Sequence, residues 1–567
     1  MLDGTGFPRE DAAAEPLEAA GAVSLPRVAV AASALALAAC GGGGGTAATG
    51  STATTPPVVV VAPAVTAAQA GRFLAQATMG ATSAGIQTVI DRGYAGWIDD
   101  QMALPRATSH WDWLGNNGYN VAANINGETG FDPSIWRQLI AEPDQLRQRV
   151  GTALLDLLVV GIGGVNLNWK QFAMAAYVDL LMDNAFGNYR QILDAITYNA
   201  AMGSFLTFLG NRKANATTGA QPDENYAREL MQLFTLGLYQ LNMDGSVVTS
   251  GGVPVETYKP ADVSGLARVF TGLNLSSSDG TTPARYRQPL VLTASTNETG
   301  TATFLGTSTS GGGTAAIKVA LDTIFAHANI APFVSKQLIQ RLVTSNPSAA
   351  YIGRVAAAFA NNGSGVRGDM KAVVKAILLD TEARSDAALT ATGAGKLREP
   401  VMRLTGWARA FGATSPSNAW AIGDTSSTTT RLGMSPGRSA SVFNFFRPGY
   451  APPNTPISAA GLVAPEFQIT NEQTVIAYVN YMYALVLNGT GDVKADYTAI
   501  LTKAADAQEL VDEVNILLAA GQLSGATVAS IVAAVNSISA TASTGPQNRV
   551  NAAILLTLAS PDYLTVK

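Results

Sequence analysis

Glu224, Arg228 and Glu229 hold the densest chemistry in the chain, within Asp223-Glu224-Asn225-Tyr226-Ala227-Arg228-Glu229-Leu230. At helical spacing Glu224 and Arg228 are an i,i+4 pair, worth about 0.2–0.5 kcal/mol on an exposed helix face. Two acids facing each other across a cleft with pKa values driven apart would suit hydrolysis of an extracellular polymer. Glu224 and Glu229, with Arg228 beside them, are therefore the catalytic candidates, and Asp262 is a further acid within reach in sequence. Asn225, Asp262, Arg268, Asn444 and Arg447 are the candidate binding residues around them. A second reading is structural. If Glu229 and Arg228 are buried, they pair with residues such as Arg268 or Arg447 and fix how the helix docks. Breaking a buried pair costs about 3–5 kcal/mol, enough to explain a strict motif without catalysis, and this reading is preferred. Oxygen-only Ca²⁺ or Mg²⁺ coordination by Asp223, Glu224 and Glu229 stays open. No other cofactor and no dedicated metal site is expected.

Several reaction classes lose their residues. The chain has two histidines, His110 and His327, and one cysteine, Cys40. Closed zinc sites need clustered His or Cys, and helical di-metal sites need Glu-x-x-His pairs, which do not occur. There is no Gly-x-Ser-x-Gly elbow near a plausible histidine and acid, and no glycine-rich loop between strand and helix to cradle a phosphate. The formal charge is −5, but residues 1–39 contain five acids and two arginines, leaving 36 acids against 34 bases. That balance offers nucleic acid no basic footprint.

The single cysteine has its own context. An apolar run from Val28 to Ala39 follows Arg27 and ends in Leu37-Ala38-Ala39-Cys40-Gly41. Twelve residues are too few to span a bilayer and suit a signal h-region. The tetrapeptide resembles a bacterial lipobox, so residues 1–40 are expected to be a lipoprotein signal with acylation at Cys40, although residues 1–24 are acidic where a basic n-region is usual. Residues 41–65, rich in Gly, Thr, Ala and Pro, read as a flexible tether. The expected place is the cell envelope, lipid-anchored, or the extracellular space, with the membrane engaged through Cys40.

The elements that must position the chemistry are helical. Hydrophobic residues make up 47% and charged residues 14% of the chain, against about 25% charged in ordinary soluble domains. Periodicity and caps predict roughly twenty helices in one large all-α body over residues 66–567. They include two short helices parted by Gly93, a helix from Pro222 to about Gly237, one over Lys396–Phe411 and one over Asp492–Ala504. On the Pro222 helix, Tyr226, Leu230, Leu233 and Phe234 share an apolar face, with Asn225, Arg228, Glu229 and Gln232 opposite. A β excursion near residues 238–310 starts with a hairpin turning at Asp244-Gly245 and adds short strands at Tyr286–Thr293 and Thr301–Leu305. The aromatic stretch Phe443-Asn444-Phe445-Phe446-Arg447-Pro448 reads either as a stacking platform for a polymer or as a rigid loop pinned into the core, with the core reading preferred.

Five blocks in order resemble the bacterial domain-of-unknown-function family 1800 (DUF1800). They are Phe73–Thr82 with Gly93–Ile98; Asp223–Leu230 with Thr235-Leu236-Gly237; Asp262-Val263 with Leu266–Gly272; Phe333–Ile339 with Arg341-Leu342-Val343; and Ser441–Tyr450. The resemblance covers about residues 68–567. It implies a mostly helical, secreted or envelope-anchored protein that works beside a secreted protein partner, and it carries no mechanism. Many relatives have histidines where this chain has Tyr198-Asn199 and Phe234, which weakens any metal reading taken from the family. The expected function is an envelope-anchored binding or assembly module, with an extracytoplasmic hydrolase as the alternative.

Overall fold

The computed structural model describes residues 64–106 and 108–567. Cys40 and nearly all of the expected tether lie outside the described residues. Among those described there are 23 α-helices and four two-stranded antiparallel pairs, so the fold is predominantly helical with small strand excursions. Local rules explain most boundaries. Thr66 and Gln69 form a reciprocal capping box at the start of helix Ala67–Ala77, which satisfies two otherwise orphaned N–H groups. Gly93, at φ 67°, breaks Ser83–Ala103 into two helical segments, a backbone state that costs glycine little.

The first helix anchors its end of the core through aromatic rings. Phe73 meets Tyr94 at 5.0 Å and Trp97 edge-on at 5.2 Å. Arg384 lies 5.1 Å over the Phe73 ring and 5.3 Å over that of Tyr94. The chain then turns at Met79-Gly80, where a β-carbon on Gly80 would sit 2.6 Å from Gly406 Cα. Only glycine allows that turn to lie against helix Pro400–Ala410.

Two further helices wall an open groove. Lys170–Asp183 is buried along most of its length, including Phe172, Tyr177 and Leu181. Tyr189–Thr197 buries Tyr189, Ile192, Leu193 and Ile196, the i, i+3, i+4, i+7 stripe of an amphipathic helix. Its polar face stays outward.

The β excursion is where the sequence places it. Asn242 N–H donates to Ser246 O at 2.9 Å across the turn at Asp244-Gly245, and Ala302–Phe304 pairs with Thr307–Thr309. Four boundaries differ. The Pro222 helix forms only over Asn225–Gln232. The Asp492–Ala504 helix shrinks to Thr498–Leu501. Tyr286–Thr293 is strand only at Val291–Leu292, its start being part of a 3₁₀ turn, Pro283–Arg287. Lys396-Leu397 leaves the next helix altogether and pairs with Thr565-Val566 near the chain's end, so that helix starts at Pro400. Pro400 suits a first helical position because its missing N–H is not needed there.

Candidate functional site

The helix Asn225–Gln232 is short because its first turn is built by side chains outside it. Asp223 Oδ1 accepts from Asn225 N–H at 2.8 Å and Asp223 Oδ2 from Thr207 Oγ1 at 2.9 Å, an Asx-type cap that competes with helix. Tyr226 ties the helix down: its hydroxyl lies 2.7 Å from Thr197 Oγ1 and its ring packs on Phe208 and Phe270. Arg228 is exposed and pairs with Glu224 at 2.9 Å, each about two-fifths accessible. Ser264 Oγ donates to the other Glu224 oxygen.

Glu229 departs from the expected polar face. It is 7% exposed, on a helix that packs against Pro260–Val269, and it forms no ion pair with Arg228, Arg268 or Arg447 among the described residues. Its Oε2 is buried without a partner. Burial pushes its carboxyl above the usual range, with Arg228 pulling weakly the other way.

The remaining candidates do not converge on it. Both Asp262 oxygens are taken by backbone, from Lys259 N–H at 2.7 Å and Leu305 N–H at 2.8 Å. Arg268 pairs with Glu298 at 3.5 Å. Among the described residues the Asn225 side chain reaches only Thr207, at 3.4 Å. Arg447 is exposed beside the Phe443 ring at 5.1 Å, with Phe445 and Phe446 half-buried and Phe443 outward. Among the described residues, no three His, Cys, Asp or Glu side chains are grouped as metal ligands.

Asn444 belongs to a different assembly that sequence reasoning missed. Its backbone is left-handed, at φ 60°, and its Nδ2 donates to Asp156 Oδ1 at 2.8 Å. Behind Asp156 lies a buried ionic network. Lys396 Nζ contacts Glu399 at 2.8 Å, Glu466 at 3.0 Å and the Arg341 carbonyl at 2.9 Å. Arg341 in turn donates to the Asp156 carbonyl at 3.0 Å. Burial, then the Glu399 carboxylate, push Asp156 up to about 7, against Arg341, Asn444 and Arg149. Burial opposes ionisation of Glu399 too, but Lys396, Arg149 and Arg341 outweigh it and hold that carboxyl low.

Asp156 and Glu399 share an enclosed cavity of about 10 Å³ with Thr152 and Met402, which is room for one water. A space that small admits no organic substrate, and its walls join helices Gln145–Leu157 and Pro400–Ala410 with Met79, Met434 and Pro436 from the loops between. The network is a structural clamp. Two signals could have revealed it: Asp156 is the lone charge in Ala153–Val165, and Lys396-Leu397-Arg398-Glu399 concentrates charge just before an apolar helix.

The open space lies elsewhere. A groove of about 570 Å³ runs between helices Lys170–Asp183 and Tyr189–Thr197 and the segment Tyr286–Leu290, within the roughly 300–1,000 Å³ usual for ligand clefts. Ala176, Asp179, Leu180 and Asp183 share one face at i, i+3, i+4, i+7 and form one wall. Asp194, Ala195 and Tyr198 form the second, and Leu290 N–H donates to Tyr198 O at 2.8 Å to hold the third. Arg106 closes one end by pairing with Asp179 and, at 2.8 Å, with Asp183.

Over residues 72–565 the chain matches the family described as Protein of unknown function (DUF1800). The chain belongs to that family. No curated protein and no solved structure matches it. The DUF1800 blocks take on physical roles in the fold. Phe73, Tyr94 and Trp97 stack together, Gly80 meets Gly406, and Tyr226 joins the Asp223–Leu230 motif to the helix that walls the groove. Gly237, at φ 75°, lies where a β-carbon would strike the Phe333 ring at 2.9 Å, so the second and fourth blocks meet. These DUF1800 motif residues therefore hold helices together, and the groove is lined by residues outside the motifs.

Proposed function

We propose that the protein is a lipid-anchored envelope module that binds a ligand in the groove between helices Lys170–Asp183 and Tyr189–Thr197 and works with a secreted protein partner. The observation that carries this reading is the groove itself, an open space of about 570 Å³ with the exposed carboxylates of Asp183 and Asp194 and the Tyr198 side chain along its walls. The anchor rests on Leu37-Ala38-Ala39-Cys40. The partner rests on an outward apolar stripe along helix Glu472–Asn488, where Ile476 is 62% and Tyr483 51% exposed; contiguous exposed apolar surface of this kind marks interaction sites.

The hydrolase alternative has one observation on its side, the buried Glu229 carboxyl with its free oxygen. It lacks a second acid facing Glu229, since Glu224 is held by Arg228 and Ser264 and Asp262 by backbone. Release of reducing ends from a polysaccharide, lost in Glu229→Gln, would move the conclusion to that reading.

The test has two arms. Cys40→Ser should release the chain from membranes, and unchanged membrane fractionation would sink the anchor. In a thermal-shift screen of the full chain against sugars, amino acids, nucleosides and short peptides, at least one class should raise the unfolding midpoint by mass action. A screen in which no class moves it overturns the binding reading.

A further inference from the structure

Helix Glu472–Asn488 has two unlike faces. Thr474, Ala477, Tyr478, Met482, Leu485 and Val486 are buried. The Tyr478 hydroxyl donates to Leu558 O at 2.9 Å, which fixes the helix's rotation on the body. The opposite face carries Ile476, Asn480, Tyr483 and Leu487, all exposed among the described residues. Large apolar side chains aligned on one open helix face mark a surface that something covers.

The spacing of the four indicates what covers it. They follow i, i+4, i+7, i+11, the seam of a helix pair, and that series is the same read in either direction. A second copy of the helix can therefore lie antiparallel across the first, about a two-fold axis between Tyr481 and Met482. Ile476 then meets the second copy's Leu487, and Asn480 meets the second copy's Tyr483. Each copy makes the same contacts, as an isologous interface requires. Two apolar layers flank two amide–phenol pairs, and a polar residue in such a seam fixes its register.

Charge sets the direction. From Gln473 to Gly491 there is no charged residue, so nothing along the seam repels a copy of itself. Glu472 stands in the first turn of the helix. Lys494 lies at the other end, where a β-carbon on the C-cap Gly489 would sit 2.8 Å from its Cγ. Both are exposed, and neither forms an ion pair among the described residues. Asp492, two residues before Lys494, is already held by Ser415 and Ser417. Parallel pairing would set acid against acid and base against base, whereas antiparallel pairing sets Glu472 against the second copy's Lys494. We propose that this face is the contact of a homodimer, two copies of the chain paired antiparallel through Ile476, Asn480, Tyr483 and Leu487. One helix on another is a small contact, below about 1,200 Å² in total, where association is weak and reversible. The proposal rests on the reading of this stripe as a partner surface and names the partner as the same chain.

Two single-cysteine chains test the pairing. Ile476→Cys and Leu487→Cys are each made in the full chain carrying Cys40→Ser, which leaves no other thiol. Mixed and oxidised, they should form a disulfide-linked heterodimer, with little cross-linking of either alone. Ile476→Cys that links to itself as readily overturns the inference. Sedimentation of the Cys40→Ser parent, into hundreds of micromolar, should show a reversible dimer. Ile476→Asp, at an exposed position, should weaken it about tenfold or more. Glu472→Lys should weaken it about threefold to fivefold at low salt, and adding Lys494→Glu should restore it. A parent that stays monomeric, or a dimer unmoved by Ile476→Asp or Glu472→Lys, overturns the inference. Benzoylphenylalanine in place of Tyr483, photolysed in the living cell, separates this failure from that of the partner reading. Cross-links to the chain itself support the homodimer. Cross-links only to a different secreted protein sink it and leave the partner reading standing, and a monomer that cross-links to no protein sinks both.

Discussion

Glu229 shows how the same carboxylate changes meaning with its partner. Paired with an arginine in the interior it would be a clamp, and its loss would cost stability. Unpaired, with burial holding its carboxyl above the usual range, it works against folding once ionised. The folded state then binds the proton more tightly than the unfolded chain. Its stabilising influence is fully present below the ordinary glutamate pKa and is lost as pH rises through the higher folded value. Glu229→Gln is therefore expected to raise the unfolding midpoint by about 1–2 °C at pH 8, with the difference vanishing near pH 4. A melt lowered at both pH values would show that the carboxylate has a stabilising partner.

Lys396 makes the opposite case, at the scale of elements. It sits on a two-residue strand, yet it holds together Glu399 at the start of one helix, Glu466 in a 3₁₀ turn and the end of helix Ile330–Leu342 through the Arg341 carbonyl. Removing it strands two buried acids. Lys396→Met should cost about 3–5 kcal/mol at pH 7, read as a lowered denaturant midpoint, and acidification should recover part of it as Glu399 and Glu466 take up protons. A variant as stable as the parent would mean that Arg149 and Arg341 suffice for both carboxylates. The short helix Asn225–Gln232 teaches a related lesson: Asp223 satisfies the first turn by side chain, so helix begins two residues after the motif's first acid.

Across the whole molecule, the chain's end is built into its middle. Thr565-Val566 pairs with Lys396-Leu397. Tyr563, 1% exposed, lies under Arg398 at 4.5 Å and its carbonyl accepts from Arg398 Nε at 3.2 Å. Tyr563→Ala should therefore destabilise the body by about 3–5 kcal/mol, the range for deleting a large buried aromatic side chain. The expected signature is one cooperative transition at lower denaturant. Loss confined to a separate early transition would show that the last helices form their own folding unit. Other parts of this architecture were open to sequence reasoning. Helix Ala507–Ala519 carries its own signals, since Asp506 caps it and its leucines and valines recur at helical spacing. Asp492–Ala504 does not, because Asp492 spends its carboxylate on Ser415 and Ser417, partners that sequence spacing does not reveal.

What the sequence by itself determined is the helical class, the family and the order of most helices. Those follow from periodicity, capping residues and glycine breaks, all of which act over a few residues. It also marked Glu224, Arg228 and Glu229 as a place to look, since charge density is visible locally. Only the tertiary structure decided that Glu229 is unpaired, that Asp262 is spent on backbone, and that Asp156, Lys396, Glu399 and Glu466 form the buried network. The groove needed it most, because its walls come from Arg106, Ser109 and the segments 176–184, 194–199 and 286–290. Helix packing brings those segments together, and no pattern local to any one of them shows which others it will face across an opening.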